Sequence, residues 1–144
     1  MVFRPGGKED REQLCRLNQA FNGPGDKTPA AMGEDLSSLP GELTFVAEEA
    51  GELVGFCCCQ VIRSWCYPQP AAQLTELYVA PAHRRKGAAA GLLALAEKAC
   101  AALGAEGLTL LTGEDNSTAR AFYESQGYRL SGEEILVCCR EGYA

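Results

Sequence analysis

The chain has 144 residues, 47% of them hydrophobic and 22% charged, a balance that supports one folded domain over 1–144 and excludes disorder for most of its length. Thirteen Lys and Arg against nineteen Asp and Glu leave a net charge of −6, which argues against a general nucleic-acid or anionic-membrane binder, since both demand an excess of positive charge. An acidic surface suits a cationic substrate, and it equally suits plain solubility.

Val2–Arg4 reads as a short strand. From Glu9 to Phe21, Leu14, Leu17 and Phe21 recur at helical spacing, and Gly23 stops the helix. Asn22–Lys27 is a loop by composition, and a second helix is expected between Pro29 and Leu39. Leu43–Glu48 and Leu53–Ile62 are β-rich runs joined by Glu49-Ala-Gly-Glu52, a connection too short for anything but a hairpin. Arg63–Ala72 holds Trp65, Tyr67, Pro68 and Pro70 and reads as a loop. Gln73–Val79 is a fourth strand, ended by Pro81.

Ala88–Leu103 carries the strongest helical pattern, with Leu92, Leu95, Ala96, Ala99, Cys100 and Leu103 on one face and Gly104 as the stop. Leu108–Thr112 is a fifth strand. Asp115 or Asn116 then caps a helix that shows Ala119, Phe122, Tyr123 and Gln126 on one side and ends at Gly127. Tyr128–Ser131 and Glu134–Cys139 close the chain as a second hairpin. Strand, helix, strand, helix after Gln73 requires a parallel pair, so the fold is α/β (α+β), with a mixed central sheet covered by helices.

Eight cysteines, at 15, 57, 58, 59, 66, 100, 138 and 139, include no C-x-x-C. Neither they nor the lone His83 supply the paired ligands at short spacing that zinc requires, so no metal is expected. Neighbouring cysteines in a strand point to opposite faces, which suits packed small hydrophobes rather than disulfides. Met1–Pro5 runs straight into charge without a signal-peptide pattern, and the longest uncharged apolar stretch, Gly87–Ala96, is too short to span a bilayer. The expectation is a reduced, cytoplasmic protein with no membrane partner.

The segment Glu76 to Ala90 carries the chemistry. A strand ends, the chain turns through a loop of basic and small residues, and a long helix begins. A helix start offers unpaired N–H groups and a positive dipole end, and Arg84, Arg85 and Lys86 add charge beside Gly87 and three alanines. A diphosphate suits such a place. No Walker loop and no G-x-G-x-x-G occurs. A solvated basic loop before an alanine-rich helix is the competing reading.

Two motifs then occur in order. Val79-Ala-Pro81-Ala-His-Arg84-Arg-Lys-Gly87-Ala-Ala89 follows the fourth strand, and Asn116, Ala119, Phe122, Tyr123, Gly127 and Tyr128 punctuate the last helix. Together they resemble the GNAT superfamily of acyl-CoA-dependent N-acetyltransferases. The resemblance implies a mostly antiparallel sheet with helices on both faces and a parallel pair formed by the fourth and fifth strands. It also implies acetyl-CoA as cosubstrate and an amine as acceptor. Backbone groups of Leu77, Tyr78 and Val79 are expected to pair with the pantetheine arm. N–H groups of Arg85, Lys86, Gly87, Ala88, Ala89 and Ala90 are expected to hold the pyrophosphate, with Arg84 at the loop's mouth and Asn116 on the pantetheine. Tyr123 matches the family's general acid, which protonates the leaving thiolate while main-chain N–H near Val79 steadies the oxyanion. Packing beside Phe122 is the competing reading for Tyr123.

Two positions depart from the family pattern. Leu111 stands where some members place a glutamate base on the fifth strand, and Thr75 stands where others place an acid on the fourth. The neighbouring Glu76 faces the other way unless a bulge shifts the strand's phase. The base is therefore Glu76 by way of a bulge, or water, or none is needed because the amine arrives neutral. Small cationic amines are favoured as acceptors, with a peptide N-terminus or lysine as the rival; Asp26, Glu34 and Asp35 lie in the variable segment that the resemblance implies contacts the acceptor. The resemblance leaves Trp65 and Tyr67 either lining the acceptor pocket or covering an edge or a subunit contact, and makes the closing strands a candidate homodimer contact. An acyl-CoA-binding sensor without transfer activity is the alternative function.

Overall fold

The computed structural model describes residues 1–132. The chain divides into two compact units, Met1–Leu111 and Thr112–Ala144. The first unit runs β1 (Val2–Pro5), α1 (Arg11–Asn22), α2 (Pro29–Ser38), β2 (Glu42–Glu49), β3 (Glu52–Ile62), β4 (Ala71–Val79), α3 (Ala88–Ala102) and β5 (Thr109–Leu110). The sheet order is β1-β2-β3-β4-β5, antiparallel except for the parallel pair β4–β5. This is the mixed sheet that the order of elements predicts.

Local chemistry accounts for the ends of these elements. Thr28 Oγ1 accepts the Ala31 N–H at 3.2 Å, and Pro29 fills the first turn of α2. Glu49 stands opposite Glu52, which leaves a two-residue loop of Ala50 and Gly51 with φ of 52° and 83°. Two left-handed residues in succession make the tight turn whose twist matches the strands.

The two faces of the sheet carry different helices. Phe45, Cys57 and Leu77 lie side by side across β2–β4, and Cys57 Sγ reaches the Leu92 carbonyl oxygen at 3.6 Å, so this face meets α3. Gly55 allows the close fit there: a Cβ on it would stand 2.7 Å from the Tyr78 carbonyl oxygen and 3.4 Å from Leu92. On the opposite face Val46, Leu53, Phe56 and Tyr78 form a core with Leu14 of α1, and Leu17, Met32 and Leu36 pack on it. Cys57 and Cys59 are fully buried, whereas Cys58 between them is only partly so, as alternation along a strand requires. All six cysteines among the described residues are free thiols.

Two strands differ from expectation in their bounds. β4 begins at Ala71, within what composition marks as loop, because Ala71 and Ala72 pair with Ile62 and Val61. β5 covers only Thr109 and Leu110, opposite Gln73 and Leu74, and not Leu108–Thr112. The parallel ladder stops at Leu74, next to the β4 bulge at Thr75. Among the described residues Tyr128–Ser131 pairs with no strand, and its expected partner Glu134–Cys139 lies outside them.

The second unit holds α4 (Ser117–Ser125). Asn116 caps it, Oδ1 accepting the Ala119 N–H at 3.2 Å. At its other end the Tyr128 N–H bonds the Tyr123 carbonyl and the Gly127 N–H bonds the Glu124 carbonyl, both at 3.0 Å, with Gly127 at φ 91°. That is a Schellman close, and the Tyr123 and Tyr128 rings meet edge-on at 5.8 Å as the accompanying apolar contact. The spacing Tyr123, Gly127, Tyr128 thus has a structural reason of its own.

Candidate active site

β4 bulges where it pairs with β3: Cys58 stands opposite Glu76, whereas Cys59 stands opposite Leu74, so Thr75 is the extra residue. Thr75 Oγ1 donates to the Cys58 carbonyl oxygen at 3.2 Å. The slip puts Glu76 on the face opposite Leu74; Glu76 shares its face with Tyr78, toward α1 and α2, while Leu77 and Val79 face α3. Of the alternatives open for the base, the bulge that Glu76 needs is present.

Glu76 lines a cavity of about 150 Å³ between the sheet and the two helices. Leu14, Met32, Leu36, Leu39 and Phe56 supply most of its wall, with Glu42, Asp35, Asn18, Thr44 and Cys58 at its polar edge. Glu42 accepts a hydrogen bond from Gln60. Burial raises the Glu42 carboxyl above its usual range; a bond from the Cys58 thiol opposes this, and the charge of Glu76 adds to it. The Cys58 thiol is itself pushed up to about 12, first by burial and then by Glu42. It therefore stays neutral near pH 7 and is a poor nucleophile.

Beyond β4, Pro81–His83 makes one 3₁₀ turn and the chain enters the basic loop. Arg85 has φ 65° and Gly87 φ 84°, both left-handed, and Gly87 precedes α3 without any side-chain cap. The first helical bond is Gly91 N–H to the Gly87 carbonyl at 3.0 Å, so the N–H groups of Ala88, Ala89 and Ala90 have no partner within the helix. Alternating left-handed residues gather main-chain N–H groups into an anion-binding concavity, and the space around Gly87 is open. These features fit a pyrophosphate. Arg84 is partly committed elsewhere: its Nε donates to the Val79 carbonyl oxygen at 2.9 Å, and its guanidinium lies 5.8 Å from the Tyr78 ring centre. Arg85 and Lys86 are exposed.

Asn116 and Tyr123 belong to the second unit, at the cap and near the end of α4. The Asn116 carbonyl oxygen serves the cap, and the Tyr123 ring packs 5.2 Å from that of Phe122. His83 pairs with Glu49 at 3.0 Å on a partly exposed surface. Trp65 is 97% exposed, and neither it nor Tyr67 is among the described residues lining the Glu76 cavity. Both instead border a separate groove with Pro68 and Pro70. Of the three acids expected near an acceptor, Asp35 reaches the cavity, where Lys27 pairs with it; Glu34 and Asp26 are exposed. Glu42 escaped the sequence reading, although the alternation Glu42, Thr44, Val46 puts it on the Glu76 face.

Several solved structures share this architecture. An aminoglycoside N-acetyltransferase, AAC(6')-Iy, in complex with CoA superposes with a TM-score of 0.86 at 20% identity, covering 98% of this chain and 95% of that one. An aminoglycoside acetyltransferase from an uncultured soil metagenomic sample, bound to sisomicin, gives 0.82 at 19% identity, covering 99% and 96%. A ribosomal-protein-alanine N-acetyltransferase from Brucella melitensis biovar Abortus 2308 gives 0.78 at 18% identity, covering 96% and 100%. These likenesses establish the fold. The sequence model of the acetyltransferase (GNAT) family matches residues 12–128, and the chain belongs to that family. A curated relative, the uncharacterized N-acetyltransferase YhfO of Bacillus subtilis (strain 168), is 39% identical over 93 residues. That match covers 65% of this chain and 62% of the relative's length.

Proposed function

We propose that the chain is an N-acetyltransferase that moves the acetyl group of acetyl-CoA to a primary amine, a small cationic one in particular, by direct attack within a ternary complex. The observation that carries this is the bulge at Thr75, which turns Glu76 into an amine-sized cavity on the same strand that leads into the phosphate-type loop. Family membership and the N-acetyltransferase relatives support it. The site works in the cytoplasm and without a metal.

Each residue then has a task. The N–H groups from Arg85 to Ala90 hold the pyrophosphate, with the charges of Lys86 and Arg84 beside it. Main-chain groups of Leu77, Tyr78 and Val79 align the pantetheine, and the family resemblance assigns it Asn116 as a side-chain partner. Glu76 takes a proton from the ammonium, so that a neutral nitrogen attacks the thioester carbonyl. Tyr123 gives a proton to the sulfur as it leaves; a thiol near pKa 8.5 and a phenol near 10 make the transfer feasible. The neutral state of Cys58 supports direct attack over an acyl-cysteine route.

Initial-rate measurements with both substrates varied test this reading. Intersecting reciprocal plots are expected; parallel plots contradict a ternary complex. Tyr123→Phe is expected to lower turnover about 10²-fold at neutral pH, and wild-type turnover removes Tyr123 from the acid's role.

A further inference from the structure

We propose that the acceptor is a compact primary amine with an apolar body, an arylalkylamine or short alkylamine, whose ammonium is shared by Glu42 and Glu76, and that Glu42 selects it. This rests on the acetyl-transfer reading and deepens it. It departs from both the aminoglycosides and the ribosomal-protein alanine named for the solved neighbours.

Size comes first. A void of about 150 Å³ holds a guest near the size of benzene, whereas drug-sized ligands occupy roughly 300 Å³ or more. The wall is the second argument. Leu14, Met32, Leu36 and Phe56 offer carbon to the guest, so each sugar hydroxyl brought against them loses its water without a replacement. A short alkyl chain or a single aromatic ring loses nothing there.

Charge is the third. Three carboxylates border the cavity, and Asp35 already has Lys27. Among the described residues neither Glu42 nor Glu76 is ion-paired. Both line the same cavity, where the charge of Glu76 hinders ionisation of Glu42 and that of Lys27 eases it to a smaller degree. One ammonium placed between them relieves that repulsion and pairs both. Glu42 approaches from β2 and Glu76 from β4, so the pair marks where the amine end lies, and the apolar body extends along α1 and α2.

The test compares wild type and Glu42→Gln on benzylamine, n-butylamine, sisomicin and an alanine-initiated peptide, each with saturating acetyl-CoA. Amine binding is measured alongside by calorimetry without acetyl-CoA. The expected result is a kcat/KM for the two compact amines at least tenfold above the other acceptors. Glu42→Gln is expected to raise their KM and calorimetric Kd at least tenfold while the KM for acetyl-CoA is unchanged. Leu36→Trp, which fills the cavity, is expected to abolish compact-amine binding and carries the test should the Gln variant not fold. Preference for sisomicin or the peptide, or an unchanged amine Kd in both variants, overturns the proposal while acetyl transfer stands. Compact amines that bind through Glu42 but are never acetylated sustain the pocket and overturn acetyl transfer instead.

Discussion

Thr75 donates its hydroxyl hydrogen to the Cys58 carbonyl oxygen at 3.2 Å, across the point where β3 and β4 slip by one residue. That bond steadies the bulge that sets the direction of Glu76. Thr75→Val keeps the side-chain volume and removes the bond. The expected outcome is a fall in kcat of about tenfold through misplacement of Glu76, with the KM for acetyl-CoA unchanged. Steady-state kinetics on the purified variant reads both. The stability cost is about 1 kcal/mol, measurable by urea unfolding.

Glu76→Gln separates the base from its alternatives. At neutral pH an alkylamine is almost wholly protonated, so loss of the base is expected to lower kcat/KM about 10²-fold. Raising the pH supplies neutral amine from solution, and the deficit narrows as the pH approaches the amine's own pKa. A pH–rate profile of the variant with that slope identifies Glu76 as the base. A profile parallel to wild type assigns deprotonation to water or to the bulk.

Much of this fold is legible in the residues, because helices and strands stamp different periods on them. α1, α3 and the β2–β3 hairpin follow from spacing and from Gly23, Gly104 and Ala50-Gly51. The direction of Glu76 is not legible in the same way. A bulge is a mismatch between two strands, and neither Thr75 nor Cys58 announces it alone. Glu42 escaped for a related reason: its value lies in lining the same cavity as Glu76 from the far side of β3, a long-range juxtaposition. Arg84 reads as a phosphate ligand by charge, yet its Nε is occupied by the Val79 carbonyl, which only the turn at Pro81–His83 brings within reach.

Acid stability depends on a cluster away from the cavity. Arg4 bonds both carboxylate oxygens of Asp10, at 2.8 and 2.9 Å, and also bonds Glu48. The Arg4 hydrogen bonds outweigh burial, which acts the other way, and hold the Asp10 carboxyl below its usual range. A depressed folded-state pKa contributes stability that is present above the unfolded value, near 3.9, and is lost as pH falls through the folded one. Asp10→Asn is expected to cost about 1–2 kcal/mol at pH 7, discounted for the partial exposure of Arg4, and progressively less in acid. Urea unfolding from pH 7 down to pH 3 reads the convergence; a constant gap contradicts the linkage.

Release of CoA thiol from acetyl-CoA, followed with and without benzylamine, tests acetyl transfer most directly. The account predicts saturable, amine-dependent release, matched mole for mole by N-acetylated amine in the mass spectrum. Tight CoA binding with no amine-dependent release, across compact amines, aminoglycosides and peptides alike, contradicts it and leaves an acyl-CoA-binding module in its place.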